Sequence, residues 1–464
     1  MVDRLSALDV SFLYFEGPTT PMHVGGVAVF SRPRGGFGYH QLVRLVQQRI
    51  GMVPRYRQRV INVPGHLSNP IWADDPEFDI HFHVRESALP KPGSDEQLAE
   101  LVARLMSRRL DRDRPLWEIY CVEGLQGGRF ALISKTHHAM VDGVSAIDLA
   151  QVLLDSTPRI SPDSTPEPWS PQPPPGPINL VRDALGEMAR RPSAVADTIR
   201  MAAHDARATG ERVARVLGGL AATARIAAVP APDSPLNVEI GAQRRFAIAR
   251  TDLDDYRRIR KQHGGTVNDV VLAVVAGALR GFLMSRGEPV GSSTVIRVMV
   301  PVSVRSQSEQ NPVGNRVLPY FVDLPVGEPN PVVRLSRIGY AMRVHGDAHQ
   351  TVGARTLIRL SGFAPPTMHA LGARAAGSMA RRFFNLVVTN VPGPQLPLYA
   401  GKAKLQEVFP VVPLAQGQAL AVGLTSYNGS VYYGLNADRE ALSDVDVIAS
   451  MITESLAELV GTLR

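Results

Sequence analysis

Nine of the 22 residues from Ser156 to Pro177 are proline, at positions 158, 162, 166, 168, 171, 173, 174, 175 and 177. Each removes a backbone donor and fixes φ at about −65°, so the stretch sustains neither a helix nor a central strand. It reads as an extended connector, part polyproline II. It divides the 464-residue chain into a first lobe, 1–155, and a second, 236–464. The connector and an Ala/Arg-rich helical insertion fill 156–235. Residues 178–228 hold eight Arg, five acids and no Lys, so net +3 of the chain's +7 lies there.

Both lobes alternate strands and helices, which predicts an α/β fold. In the first lobe the patterns predict strands over 22–30, 78–84, 117–122 and 130–136, and helices over 39–50, 95–110 and 144–154. In Phe78 to Val84, Ile80, Phe82 and Val84 alternate with His81 and His83, which places the two histidines on one strand face. In the second lobe, strands are expected over 245–249, 294–304, 317–324 and 385–389, with a hairpin over 419–433 turning at Asn428-Gly429. Helices are expected over 268–284, 331–345 and 444–460, and a further one capped by Thr251 with Asp254 and ended by Gly264-Gly265.

Composition narrows the function. The one cysteine, Cys121, excludes an intrachain disulfide and a cysteine zinc site, and suits a reducing cytoplasm. Asp3, Arg4 and Asp9 crowd an N-terminus that has no apolar core, unlike a secretory signal. The longest smooth apolar run, Val270 to Leu279, is too short to span a bilayer. The basic excess is small and spread out, with no helix-turn-helix or aromatic-basic platform, so nucleic acid is not an expected partner. His81 and His83 have no third ligand in view, so no metal site is expected.

The segment that carries chemistry is Ser134-Lys-Thr-His137-His138-Ala-Met-Val-Asp142-Gly143, at a predicted strand end just before a helix. Histidine titrates near neutrality and is the natural general base for a hydroxyl nucleophile. It needs a fixed ring and tautomer, which a nearby carboxylate such as Asp142 can supply directly or by holding the loop. Gly143 permits the tight turn that follows.

HHAMVDG resembles the HHxxxDG signature of the CoA-dependent acyltransferase superfamily. Further strings resemble the bacterial wax ester synthase/diacylglycerol acyltransferase family within it. These are Leu8-Asp9-Val10-Ser11-Phe12-Leu13, Met22-His23-Val24-Gly25, Pro115-Leu116-Trp117-Glu118, Leu236-Asn237 with Arg244-Arg245, and Val267-Asn268-Asp269-Val270-Val271. Pro301-Val302-Ser303-Val304-Arg305 with Gly314-Asn315, Thr389-Asn390-Val391-Pro392-Gly393-Pro394 and Tyr427-Asn428-Gly429 complete the match, which covers almost the whole chain in order and spacing.

The resemblance implies two chloramphenicol-acetyltransferase-like lobes with the site in a tunnel between them. It implies transfer of a long-chain acyl group from acyl-CoA, a co-substrate, to diacylglycerol or a long-chain alcohol, with no cofactor. His138 would be the general base, His137 structural, and Asp142 the partner of Arg305 in a buried ion pair. Asn268, or the amides around Asn390 and Val391, would meet the oxyanion. Two plainer readings stay open: Asn268 as a helix N-cap, and the Asn390 segment as a turn. The resemblance also leaves room for another acceptor, a carrier-bound donor or a catalytically silent lipid-binding homologue. The acceptors imply a cytoplasmic protein that meets the inner membrane face or a lipid-droplet surface, for which the 178–228 helices are the candidate element.

Overall fold

A computed structural model describes residues 3–141, 152–158, 169–190, 230–304, 316–348 and 383–463. The described residues form two six-stranded sheets and a two-stranded ribbon. The first sheet contains β1 (His23–Ser31), β4 (Val84–Ala88), β5 (Trp117–Leu125) and β6 (Arg129–His137). The ribbon is β2 (Gln58–Ile61) with β3 (Ile71–Asp74). The second sheet contains β7 (Arg244–Asp252), β8 (Ile296–Val304), β9 (Arg316–Leu324), β10 (Leu386–Pro392), β13 (Leu420–Tyr427) and β14 (Ser430–Asp438).

Two strands cross between the halves. β11 (Tyr399–Ala400) and β12 (Ala403–Val411) belong by sequence to 236–464 but complete the first sheet, whose order is β11-β12-β1-β6-β5-β4. β12 pairs antiparallel with β1, Gly25 opposite Val411. Its other side lies across the second sheet, where Asn436 Nδ2 donates to the Val412 carbonyl at 2.8 Å and the Tyr432 hydroxyl to the Gln406 carbonyl at 2.9 Å. At Gly434 the approach is so close that a Cβ would lie 1.9 Å from the Pro410 carbonyl oxygen. The second sheet runs β7-β14-β13-β10-β8-β9. Asn428 (φ 47°) and Gly429 (φ 91°) make the tight β13–β14 turn, as the Asn-Gly pair predicts.

The helices follow from local signals. α1 (Ala7–Phe15) is opened by a reciprocal cap in which Ser6 Oγ accepts from Asp9 N–H and Asp9 accepts from Ser6 N–H. α2 (Tyr39–Arg49) and α4 (Asp95–Met106) bury Leu42, Val43, Leu45 and Val46, and Leu98, Leu101, Val102 and Leu105, on helical spacing. In the second lobe, α7 (Leu253–His263), α8 (Val267–Ser285), α9 (Pro331–Ala348) and α10 (Val445–Val460) cover the sheet. α8 is long and apolar enough to cross a membrane, but its run from Val270 to Ala276 is buried in the second core.

Three local expectations are corrected. Residues 78–84 are not one strand. Asp79 accepts the His81 amide at 2.9 Å and caps the short helix α3 (Ile80–His83). His81 is therefore exposed and bonds the Tyr39 hydroxyl at 2.8 Å. His83 is buried, its Nδ1 2.8 Å from the Trp117 carbonyl and its ring stacked on Trp117. The cap of α7 is Asp252 rather than Thr251, which still belongs to β7. The Asn390 segment is a strand as far as Pro392, paired in parallel with β13.

Inside the connector, the Arg57 guanidinium lies over the Trp169 ring, 4.6 Å from its centroid, and Gln172 N–H donates to Asp74 at 3.0 Å. The connector thus runs back along the first lobe into α6 (Pro177–Arg190). The faces expected over 195–206 and 213–220 lie outside the described residues.

Four charges also clasp the halves. Arg250 of β7 bonds Asp95 of α4 at 2.7 Å and Glu407 of β12 at 2.6 Å, and Arg129 of β6 reaches both carboxylates at 3.4 Å. The buried Arg244 side chain donates to the Thr19 carbonyl across the same junction.

Candidate active site

β6 delivers the two histidines. Its antiparallel pairing with β1 sets His23 opposite His137. The backbone leaving the strand is tied on both sides: His137 N–H donates to the Leu116 carbonyl at 2.9 Å, and His138 N–H to the Met22 carbonyl at 2.8 Å. Leu116 belongs to the Pro115-Leu116-Trp117 string, whose Trp117 is buried with its indole N–H on the Tyr56 carbonyl at 2.7 Å. The short helix α5 (His138–Val141) follows at once.

The histidines have different surroundings. His137 is fully buried, and its Nδ1 accepts the Ala139 amide at 3.1 Å. Burial pushes its pKa down to about 3, so at neutral pH the ring is uncharged. With the Nδ1 lone pair occupied, its proton sits on Nε2. His137 is a bracket for the first turn of α5. His138 is half-buried and stacks on Phe12 of α1, ring centroids 4.0 Å apart and planes 19° from parallel.

Behind them lies a buried ionisable cluster. The Glu16 carboxylate follows α1 and its side chain is 1% exposed. One oxygen accepts from Arg112 at 2.6 Å and Arg109 at 3.1 Å. The other is 3.2 Å from His23 Nε2 and 3.9 Å from His137 Nε2. Burial alone would raise this carboxyl, but the contact with His23 and the neighbouring His137 and Arg112 outweigh it and hold it well below the usual carboxylate range. Lys135, one turn of the pleat before His137, is buried and donates to the Leu105 and Arg108 carbonyls at the end of α4. Burial lowers its pKa to about 8.

The second lobe brings two further residues together. Thr266, not Asn268, caps α8, in a reciprocal pair with Asp269. Asn268 is thereby free of capping and accepts from Asn390 Nδ2 at 3.1 Å. This bond leaves the Asn268 amide hydrogens for another acceptor. Asp142, Gly143 and Arg305 lie outside the described residues. Phe12, Glu16 and His23 were not picked out as site residues from sequence, although the Ser6-x-x-Asp9 signature marks α1 and the β1–β6 register places His23.

Two sheets, the first completed by β11 and β12 from the second half, with a double histidine closing the strand two places from β12, define the two-lobed fold of the CoA-dependent acyltransferase superfamily. At the level of fold, the same path is traced by the first condensation domain of the calcium-dependent antibiotic synthetase (17% identity, TM-score 0.60, covering 100% of this chain and 97% of that one). Residues 5–271 match the wax ester synthase/diacylglycerol acyltransferase catalytic domain and residues 313–460 the WS/DGAT C-terminal domain. The chain belongs to the wax ester synthase/diacylglycerol acyltransferase family. It is 34% identical over 99% of both chains to the probable diacylglycerol O-acyltransferase tgs2 of Mycobacterium tuberculosis. It is 45% identical to tgs3, a protein of the same description from that organism, over 57% of this chain and 97% of that one. The wax ester synthase/diacylglycerol acyltransferase of Marinobacter aquaeolei VT8 superposes with a TM-score of 0.70 at 29% identity, covering 98% of each chain.

Proposed function

We propose that the protein transfers a long-chain acyl group from acyl-CoA to the hydroxyl of diacylglycerol or a long-chain alcohol, with His138 as general base. The acceptor oxygen attacks the thioester carbonyl while His138 takes its proton. The tetrahedral oxyanion then collapses, the C–S bond breaks, and the CoA thiolate leaves and recovers a proton from His138. The thioester is already activated, so the demand on the protein is to position two substrates and move one proton. The scheme uses no metal or cofactor. The observation that carries it is the difference between the histidines: His137 is buried and neutral with its Nδ1 on the Ala139 amide, whereas His138 is half-buried beside Phe12.

Asn268 and Asn390 are the donors we assign to the oxyanion. Purified protein incubated with labelled palmitoyl-CoA and either diacylglycerol or hexadecanol should form the corresponding ester. Asn268→Ala should lower kcat by about 10²–10³-fold, the usual cost of losing one oxyanion donor. No ester with either acceptor would overturn the reading in favour of another acceptor or a silent lipid-binding protein. A change in melting temperature with kcat intact would remove Asn268 from the chemistry.

We place the protein in the cytoplasm, peripheral at the inner membrane face or a lipid droplet. α6 supports this. It buries Leu180 and Ala184 against the first lobe and leaves Ile178 83% and Leu185 52% exposed. With Pro64 and Val181 these line an apolar groove of about 690 Å³. These residues are larger than the alanines that dominate the rest of the insertion, and large apolar groups are what insertion into a lipid surface needs. Ile178→Asp with Leu185→Asp should abolish co-flotation with liposomes while leaving the melting temperature unchanged. Flotation equal to that of the parent protein would exclude α6 as the contact.

A further inference from the structure

We propose that Glu16 is a positioning residue for the transfer reaction, acting on His138 through His137 and through α1. This rests on the reading of His138 as the base. Glu16 Oε1 and His137 Nε2 are both buried; the oxygen's near contact is His23 Nε2 at 3.2 Å, and His137 Nε2 makes no hydrogen bond of its own among the described residues. They face each other at 3.9 Å. A buried carboxylate is costly unless it is paired and hydrogen-bonded, and here its pairing is with the groups around the double histidine.

The arrangement is electrostatic. Arg109 and Arg112 hold the other Glu16 oxygen, and the His23 contact together with Arg112 favours the ionised group. The negative oxygen turned toward His137 Nε2 favours the tautomer that carries its proton there. Only that tautomer has a lone pair on Nδ1 to accept the Ala139 amide. With the proton moved to Nδ1, two donors would confront each other inside the first turn of α5, which is the turn that carries His138. His23, whose Nε2 lies 3.2 Å from the same oxygen, closes the remaining side, and Lys135 is the next positive charge acting on His23.

A second route runs through α1. Glu16 N–H caps the helix on the Phe12 carbonyl at 3.2 Å, and Arg112 donates to the Leu13 carbonyl at 2.7 Å as well as to Glu16. Through the shared Arg112, the carboxylate is tied to the end of the helix whose Phe12 ring is stacked on His138. One carboxylate thus faces His137 directly and reaches the aromatic wall beside His138 through Arg112.

The test uses the full-length protein labelled with ¹⁵N-histidine. In the parent protein, the His137 nitrogens, assigned by comparison with His137→Asn, should show the Nε2–H tautomer. In Glu16→Gln, which keeps the volume and removes the charge, that signature should be lost or mixed. kcat with palmitoyl-CoA and hexadecanol should fall between about 10- and 100-fold, with KM for palmitoyl-CoA within about twofold, the pattern of a displaced group rather than a lost binding contact. Glu16→Asp, which restores the charge, should recover the tautomer and part of kcat. An Nδ1–H tautomer in the parent protein overturns the proposal even if no variant folds. So does Glu16→Gln with His137 unchanged, whatever happens to its rate. Because the tautomer is read without turnover, an inactive parent protein with the expected tautomer would discredit the assigned reaction and leave the Glu16–His137 arrangement standing.

Discussion

His138→Ala is expected to lower kcat by about 10²–10⁴-fold, the range contributed by a positioned general base. KM for acyl-CoA should stay close to the parent value, because the base acts on the acceptor proton and not on the nucleotide. The fold should survive. The half-buried ring stacks on Phe12, a contact worth about 0.5–1.5 kcal/mol beyond its buried area, while the backbone bond from residue 138 to Met22 needs no side chain. His137→Ala should behave differently. It leaves Glu16 Oε1 facing a cavity in a fully buried site and removes the acceptor of the Ala139 amide, so stability and activity should fall together. Progress curves with labelled palmitoyl-CoA, read beside thermal melts, separate the two outcomes. Full turnover by His138→Ala would end the general-base mechanism.

Gly434→Val should produce the largest loss of stability. The added Cβ would lie 1.9 Å from the Pro410 carbonyl oxygen and about 3.0 Å from the Phe246 ring, so β12 must leave the second sheet or β14 must bend. Overpacking of a well-filled core costs about 1–3 kcal/mol, and more where the obstacle is backbone. Here the obstacle is the strand that holds the two sheets together, and we expect a cost at or above the top of that range, seen as insoluble protein or a melting temperature lower by several degrees. Gly186→Ala is the control. Nothing lies within 4 Å of its added methyl, and alanine replaces glycine inside a helix, a change worth about 1 kcal/mol in favour of folding. A Gly434→Val protein that melts with its parent would mean that β12 does not lie where it is described.

Much of this architecture is written locally. The Asn428-Gly429 hairpin, β5 and β6, and α2, α4, α8 and α10 follow from period and turn chemistry within a few residues. So does the role of Cys121, buried in β5 with its thiol pushed up to about 12 by burial. What misled was local too. Ile80, Phe82 and Val84 alternate as a strand would, but Asp79 captures the His81 amide and winds a turn, sending His81 outward and His83 onto Trp117. Asn268 looks like a cap until Thr266 is seen to hold that position.

Asn268 and Asn390 come from the resemblance, and residue spacing alone makes only the contiguous part of the candidate site legible, His137 and His138. Phe12, Glu16 and His23 join them because β1 pairs with β6 and α1 folds back over both, and no spacing in the chain announces a contact made through sheet register. The Asn268–Asn390 bond joins two motifs that the resemblance had flagged separately.

β12 also sets an order of events during synthesis. A ribosome releases β1, β4, β5 and β6 long before it makes residues 403–411, yet β1 finds its outer partner only in that late strand. The nascent first lobe therefore waits with an open sheet edge, the kind of surface that captures other chains. Its last strand, when it arrives, also lies against the newly made second sheet. A ribosome stalled between the halves would thus leave a first sheet with an open edge rather than a finished domain.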